Sequence, residues 1–281
     1  MGDTLKGKVA FVTGAAAARG MGRAVAMRLA KEGADVVVND KFAAPKSNYS
    51  GDENWRGLDQ VVEEIEAMGR KGLAVTAGVE NMKEMEAAVK ASIDKFGKID
   101  ILVNCAGIRG PVGVTVVDGE EKDWRQLFDV NTIGAFVVSK VVAKEMIKNN
   151  DGGKIVHIAS AAGKLGAPGS AAYAASKWAV IGLVESLALE LAKFKIRVNA
   201  INPGFFSTNL RDVDNAARGQ QLGKTPDQLR AEEHKILSGK VPLGRMGVVE
   251  DVAKLVLFLV SDESDYMTGQ NINLTGGDLM H

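Results

Sequence analysis

Seven short, β-branched and nearly all-apolar runs alternate with helical patterns from one end of the chain to the other. The runs cover residues 9–13, 35–39, 73–77, 99–104, 155–159, 196–201 and 271–274. Between them, apolar residues recurring at helical spacing predict helices over 20–32, 58–68, 82–96, 123–148, 171–194 and 249–260. A strand that is apolar on both faces has to be covered on both faces, which is the habit of parallel strands. Regular strand–helix alternation then implies right-handed crossovers and a doubly wound sheet. The expected fold class is α/β: one parallel sheet of about seven strands with helices on both faces, with residues 1–281 forming a single domain.

Two segments interrupt the rhythm. Residues 42–57 separate the second run from its helix and carry Pro45, Ser47, Asn48, Tyr49, Ser50 and Gly51, a loop composition. This inserted loop is long for a strand–helix connection. Residues 207–247 follow the sixth run, with a helix expected at 226–238 behind Thr225 as N-cap and Pro226. A long excursion at the carboxyl end of a parallel strand is a natural substrate lid.

Lysine plus arginine equals aspartate plus glutamate at 35 each, and a net charge of zero argues against nucleic acid or an anionic membrane as partner. Cys105 is the only cysteine, so an intrachain disulfide is impossible and a reducing, cytoplasmic compartment is expected. Residues 1–8 hold no signal-like apolar run, and no uninterrupted apolar stretch reaches the roughly 18 residues of a membrane span. His157, His234 and His281 show no metal-ligand spacing, so no metal site is expected.

The first strand runs into Thr13-Gly14, four alanines, then Arg19-Gly20-Met21-Gly22 at the start of the first helix. Gly14 can turn the chain tightly, and Gly20 and Gly22 let a pyrophosphate and a neighbouring strand approach the backbone. The helix N-terminus adds N–H groups and the positive end of its dipole. Asp40 ends the second strand, 26 residues after Gly14, where an acidic side chain can accept both hydroxyls of an adenine ribose and repel a 2′-phosphate. Arg19 and Lys41 are cations able to pair with that phosphate. The acidic residue favours NAD over NADP.

Tyr173 and Lys177, four apart on one helix face, sit close behind Ser160. A phenol beside an ammonium has its ionised form favoured, which suits a general acid or base. Tyrosine and lysine at this spacing are also common on ordinary helices.

With these motifs in order, the chain resembles the short-chain dehydrogenase/reductases from about residue 8 to residue 278. Asn104-Cys105-Ala106-Gly107 looks like the family's Asn-Asn-Ala-Gly element, with cysteine for the second asparagine. Val130-Asn131-Thr132 resembles its helix asparagine. Ser160 precedes Tyr173 by thirteen residues, as in the family, and Lys177 completes the set. Asn202-Pro203-Gly204 through Thr208 resembles the segment that holds the nicotinamide carboxamide. The resemblance implies a Rossmann-type dinucleotide-binding domain. It implies Asn131, Ser160, Tyr173 and Lys177 as the catalytic set, with Lys177 also holding the nicotinamide ribose and Asn131 positioning Lys177. Cofactor contacts are expected from Gly14, Arg19, Gly20, Met21, Gly22, Asp40, Val79, Asn104, Ala106 and Gly107. Tyr173, Lys177, Pro203, Gly204 and Thr208 complete that expectation. Trp124 and Trp178 lie on long helices that pair between subunits in the family, which implies a homotetramer or a homodimer.

Three departures stand out. Five residues rather than three separate Gly14 from Gly20, Gly78-Val79-Glu80 replaces the aspartate often found after the third strand, and the 42–57 loop is long. Leu165, Phe205, Phe206 and Met246 are candidate pocket walls, suited to an apolar, alicyclic, aromatic or steroid-like small molecule. The expected activity is hydride transfer between NAD and a secondary alcohol or ketone. A 3-oxoacyl thioester reductase using NADPH and a non-catalytic cofactor-binding regulator are the alternatives.

Overall fold

The computed structural model describes residues 2–45, 47 and 51–281, and within the helix at Asn209–Leu222 it leaves the side chains at 213, 214, 216–218, 220 and 221 undescribed. Asn48, Tyr49 and Ser50 of the inserted loop therefore lie outside the described residues. The strands are β1 (Val9–Thr13), β2 (Asp35–Asp40), β3 (Gly72–Thr76), β4 (Ile101–Asn104), β5 (Gly153–Ile158), β6 (Ile196–Pro203) and β7 (Asn271–Leu274). All are paired in parallel, in the order β3-β2-β1-β4-β5-β6-β7. The helices are α1 (Met21–Lys31), α2 (Leu58–Ala67), α3 (Met82–Phe96), α4 (Glu121–Phe128), α5 (Gly134–Asn149), α6 (Ala171–Leu191), α7 (Asn209–Leu222), α8 (Pro226–Ser238) and α9 (Val249–Val260).

Period-two alternation along each strand explains why the runs are apolar throughout. Ala10 and Val12 face a core shared with Val25 and Leu29 of α1, Ile65 of α2 and Val256 of α9. Phe11 points the other way, into a core with Met85 of α3, Val142 and Met146 of α5, and Val184 of α6. The chain forms one α/β domain with helices on both faces.

One crossover departs from the expected hand. The steps β5 to β6 and β6 to β7 run in the same direction across the sheet, yet α6 covers one face and α9 the other. The last connection thus has the opposite hand to the others. The handedness rule assumes a strand feeding its helix directly. Here α7 and α8 intervene, and the chain crosses the carboxyl edge of the sheet before α9 begins. This excursion is pinned at its base where Phe206 bridges Gly247; a Cβ on Gly247 would stand 2.4 Å from the Phe206 ring.

The helix expected at 123–148 is continuous but not uniform. It holds α4, a π-turn at Asp129–Ile133 and α5. Glu121–Asn149 and Ala171–Phe194 are long and apolar enough to cross a membrane by length and composition, with a mean hydropathy of 1.2 each. Both lie against the sheet through the second core. Ile133, Phe136, Trp178 and Leu189 remain exposed on them.

Candidate active site

The carboxyl ends of β1, β2, β4, β5 and β6 open onto one cavity of about 700 Å³ at the point where the strand order reverses. At one end lie Gly14, Gly20, Met21 and Gly22. Gly14 takes φ of +66°, and a Cβ there would stand 2.8 Å from the Ala106 nitrogen. Gly20 is the N-cap of α1, with no side-chain cap and no acidic residue in the first turn. By contrast, α3 is capped by Asn81 and α8 by Thr225. The first N–H groups of α1 thus meet the cavity without a side-chain acceptor of their own, the arrangement that receives a phosphate.

The longer glycine loop satisfies its extra backbone with local partners. Ala15 N–H donates to Asn39 O at 3.1 Å and Ala16 N–H to Asp40 Oδ2 at 3.0 Å. Trp55 of the inserted loop donates its indole N–H to Ala16 O at 2.6 Å. Ala15 and Ala16 are fully buried, which is why side chains this small stand there. Asp40 lines the cavity as expected. Burial pushes its carboxyl up, and the N–H groups of Ala16, Phe42 and Lys41 pull it back.

Arg19 does not line the cavity. Its backbone N–H donates to Asn209 Oδ1 at 2.7 Å, and its guanidinium meets the buried Asp212 of α7 at 2.6 Å and Asp52 at 3.6 Å. Asp212 also takes Arg230 of α8 at 2.8 Å. One arginine thus ties the glycine loop to the inserted loop and to α7. Arg19→Ala is expected to cost about 1.5–3 kcal/mol, the range for a hydrogen bond to a charged group, measured by denaturant unfolding. The same variant should bind reduced dinucleotide about tenfold more weakly in a fluorescence titration.

At the other end lie Ser160, Tyr173 and Lys177. Ser160 caps the short turn after β5: its hydroxyl accepts Ala162 N–H at 3.1 Å. That leaves its proton for an oxygen in the cavity. Tyr173 stands in the first turn of α6 and Lys177 one turn on, its Nζ 5.8 Å from the phenol ring centroid. Lys177 is buried and donates to Ile158 O at 3.0 Å. Burial pushes its ammonium down to about 8.

The π-turn turns Asn131 towards this lysine's neighbourhood. Its amide accepts from Ile108 N–H at 2.9 Å and donates to Ile108 O at 2.9 Å and Ser176 Oγ at 3.0 Å. A Cβ on Gly107 would stand 3.2 Å from Asn131 Oδ1 and 3.3 Å from Lys177 Nζ, so glycine keeps that passage clear. Asn131 itself is not among the residues that line the cavity.

Asn104 likewise sits behind the wall that Ala106 and Gly107 form. Thr13 Oγ1 donates to Asn104 Oδ1 at 2.6 Å and accepts the N–H groups of Cys105 and Ala106 at 3.1 Å each. Asn104 Nδ2 meets His157 Nδ1 at 3.2 Å, and His157 Nε2 meets Ser139 Oγ at 2.9 Å. Burial pushes His157 down to about 4, so the ring is neutral and serves as a strut. Burial also pushes the Cys105 thiol up to about 12, which leaves it protonated and unreactive.

Val79, Pro203, Gly204 and Thr208 line the cavity, as do Leu165, Phe205 and Phe206. Met246, expected as a pocket wall, is buried away from it. Sequence reasoning missed Trp55, Asp52, Asn209 and Asp212. A tryptophan in a segment of loop composition was the only signal for any of them. Among the described residues no cluster could hold a metal ion.

Residues 14–278 match the family model described as enoyl-(acyl carrier protein) reductase. The chain is 38% identical to 3-oxoacyl-[acyl-carrier-protein] reductase FabG of Thermotoga maritima, over 97% of this chain and 98% of that protein. It is also 38% identical to 3-oxoacyl-[acyl-carrier-protein] reductase of Synechocystis, over 98% of each. Among solved structures it is similar to carveol dehydrogenase from Mycobacterium avium in complex with NAD, at 31% identity, a TM-score of 0.87 and 100% of both chains. NAD+-bound xylitol dehydrogenase is similar at 33% identity and a TM-score of 0.82, over 97% of this chain and 99% of that one.

Proposed function

The chain belongs to the short-chain dehydrogenase/reductase family of oxidoreductases, and on that premise we propose that it moves a hydride between NAD(H) and a secondary alcohol or ketone. The observation that carries this reading is the shared cavity. An uncapped α1 terminus opens at one end and Ser160, Tyr173 and Lys177 stand at the other. Gly14, Gly20, Met21 and Gly22 would hold the pyrophosphate and Asp40 the adenine ribose. Lys177, Pro203, Gly204 and Thr208 would hold the nicotinamide half.

A bound nicotinamide supplies the hydride acceptor or donor. Everything else is done by the chain. Tyr173 takes the alcohol proton at its phenol oxygen in oxidation and returns it in reduction. The Lys177 ammonium stabilises negative charge on that oxygen. Ser160 donates a hydrogen bond from its hydroxyl to the substrate oxygen, where charge develops. Asn131, anchored on Ile108 and Ser176, keeps the floor under Lys177 in place.

Two pairings support NAD over NADP. Arg19 is engaged by Asp212 and Lys41 by Glu80, so both cations read from the sequence as able to pair with a 2′-phosphate already have carboxylate partners. Leu165 and Phe205 support an apolar substrate, whether alicyclic, aromatic or steroid-like. The exposed apolar side chains of α5 and α6 support a homodimer or homotetramer, and the single cysteine suits the cytoplasm.

A second reading, an NADPH-dependent 3-oxoacyl thioester reductase, is favoured by the names of the relatives at 38% identity. A carrier protein is acidic and would need a basic dock. At the start of α4, however, Lys122 pairs with Glu120 and Arg125 with Glu121. The deciding experiment is a panel of cyclic alcohols, ketones and 3-oxoacyl thioesters with NAD(H) and NADP(H), followed by absorbance of reduced nicotinamide. Turnover at least about tenfold better with NAD and a cyclic alcohol is expected. A preference for NADPH with thioesters would overturn the first reading in favour of the second, and no turnover with any pair would favour a regulator.

A further inference from the structure

β2 delivers a basic residue, Lys41, directly after Asp40, at the cavity end read above as the adenine-ribose site. An ammonium there is well placed to meet a 2′-phosphate. It is instead held by Glu80, with Lys41 Nζ donating to Glu80 Oε1 at 2.5 Å. Glu80 comes from the β3–α3 connection, and both side chains line the cavity beside Asp40 and Phe42.

The backbone is built to let Glu80 reach. Its carboxyl lies folded over Gly78, where a Cβ would stand 3.0 Å from Oε2 and 3.2 Å from Cδ. The Gly78 N–H donates to Glu84 Oε2 at 2.7 Å, which ties this connection to the first turn of α3. The Lys41 side chain is 54% exposed and that of Glu80 23%, so the pair sits at the rim. An ion pair this exposed adds little to stability. Its effect is on the charge an incoming ligand meets.

We infer that Glu80 is a cofactor-selecting residue: it withholds the Lys41 ammonium from a 2′-phosphate. A dinucleotide bearing the extra phosphate, with a charge near −2, then meets the Asp40 carboxylate and an ammonium already neutralised by Glu80. A dinucleotide with a 2′-hydroxyl meets no such penalty. The inference rests on the reading of this end of the cavity as the adenine-ribose site.

The test compares the wild type with Glu80→Gln, Lys41→Met, the double variant and Gly78→Ala, each checked for an unchanged melting temperature. Glu80→Gln is expected to lower KM for NADP about tenfold, with kcat for NADP within about twofold, and the gain should shrink at roughly 0.5 M salt. In the Lys41→Met background the gain should be lost. Gly78→Ala, whose Cβ displaces the Glu80 carboxyl, should move the NADP-to-NAD ratio in the same direction. A ratio unchanged in folded Glu80→Gln, or an equal gain with Lys41 replaced, overturns the inference. A wild type that already prefers NADP overturns the NAD reading instead. The two failures stay distinct, because the effect of Glu80 is read as a change from the wild-type ratio.

Discussion

Tyr173→Phe is expected to lower kcat by about 10²- to 10⁴-fold, the usual contribution of a positioned general acid or base. Affinity for the dinucleotide should stay within about twofold, since phenylalanine removes one oxygen and no packing surface. The ring would still sit beside Lys177, whose Nζ lies 5.8 Å from its centroid. Lys177 would still be anchored on Ile158 O, and Ser160 would still present its hydroxyl. Only the proton path is cut. Single-turnover absorbance of reduced nicotinamide measures the chemical step, and fluorescence titration measures binding. A variant that keeps more than about a tenth of the wild-type rate would remove Tyr173 from the acid–base role, because a group doing that chemistry is worth more than tenfold.

The parts of this site that were legible in the sequence are those written locally. Strand edges follow from apolar runs, and β1, α3, α9 and β7 fall where the pattern puts them. Tyr173 and Lys177 are related by one helical turn, and the glycine loop by its position between β1 and α1. What escaped is written at long range. Arg19 read as a cation available to phosphate because Asp212, 193 residues on, has no sequence mark as its partner. Helix α7 escaped for a related reason. Its described buried positions include Asp212 and Asn215, so the face it turns inward is partly polar and gives no apolar stripe. The five-residue glycine loop looked like a misfit to its family. Asp40 and Trp55 make it fit, and Trp55 belongs to the other departure, the inserted loop. The two irregularities compensate each other in space. The π-turn at Asp129–Ile133 is a third case: it shifts helical phase to aim Asn131, and hydrophobic periodicity continues on either side of it.

Lys177→Met should stop turnover as thoroughly as the loss of Tyr173, yet make the protein more stable. Burial pushes the Lys177 ammonium down to about 8 from an ordinary value of 10.5. Between those two values the unfolded chain binds more protons than the folded one, so this group makes stability rise with pH across that window. Below about 8 the folded protein carries the buried charge in full, at a cost of up to ~3 kcal/mol. Methionine fills similar space without charge, and it gives up the bond to Ile158 O. The balance is expected to be a gain of about 1–2 kcal/mol at pH 7, or a few degrees in melting temperature. The decisive measurement is the difference in unfolding free energy between variant and wild type as a function of pH. It should be largest at pH 7 and shrink as pH rises from 8 toward 10.5, because the wild-type lysine then sheds the proton that made its burial costly. A variant that is less stable at pH 7, with a gap that does not change with pH, would mean that Lys177 is a structural anchor. A gap that closes with pH would identify a charge kept in the core at the expense of stability, 5.8 Å from the Tyr173 ring.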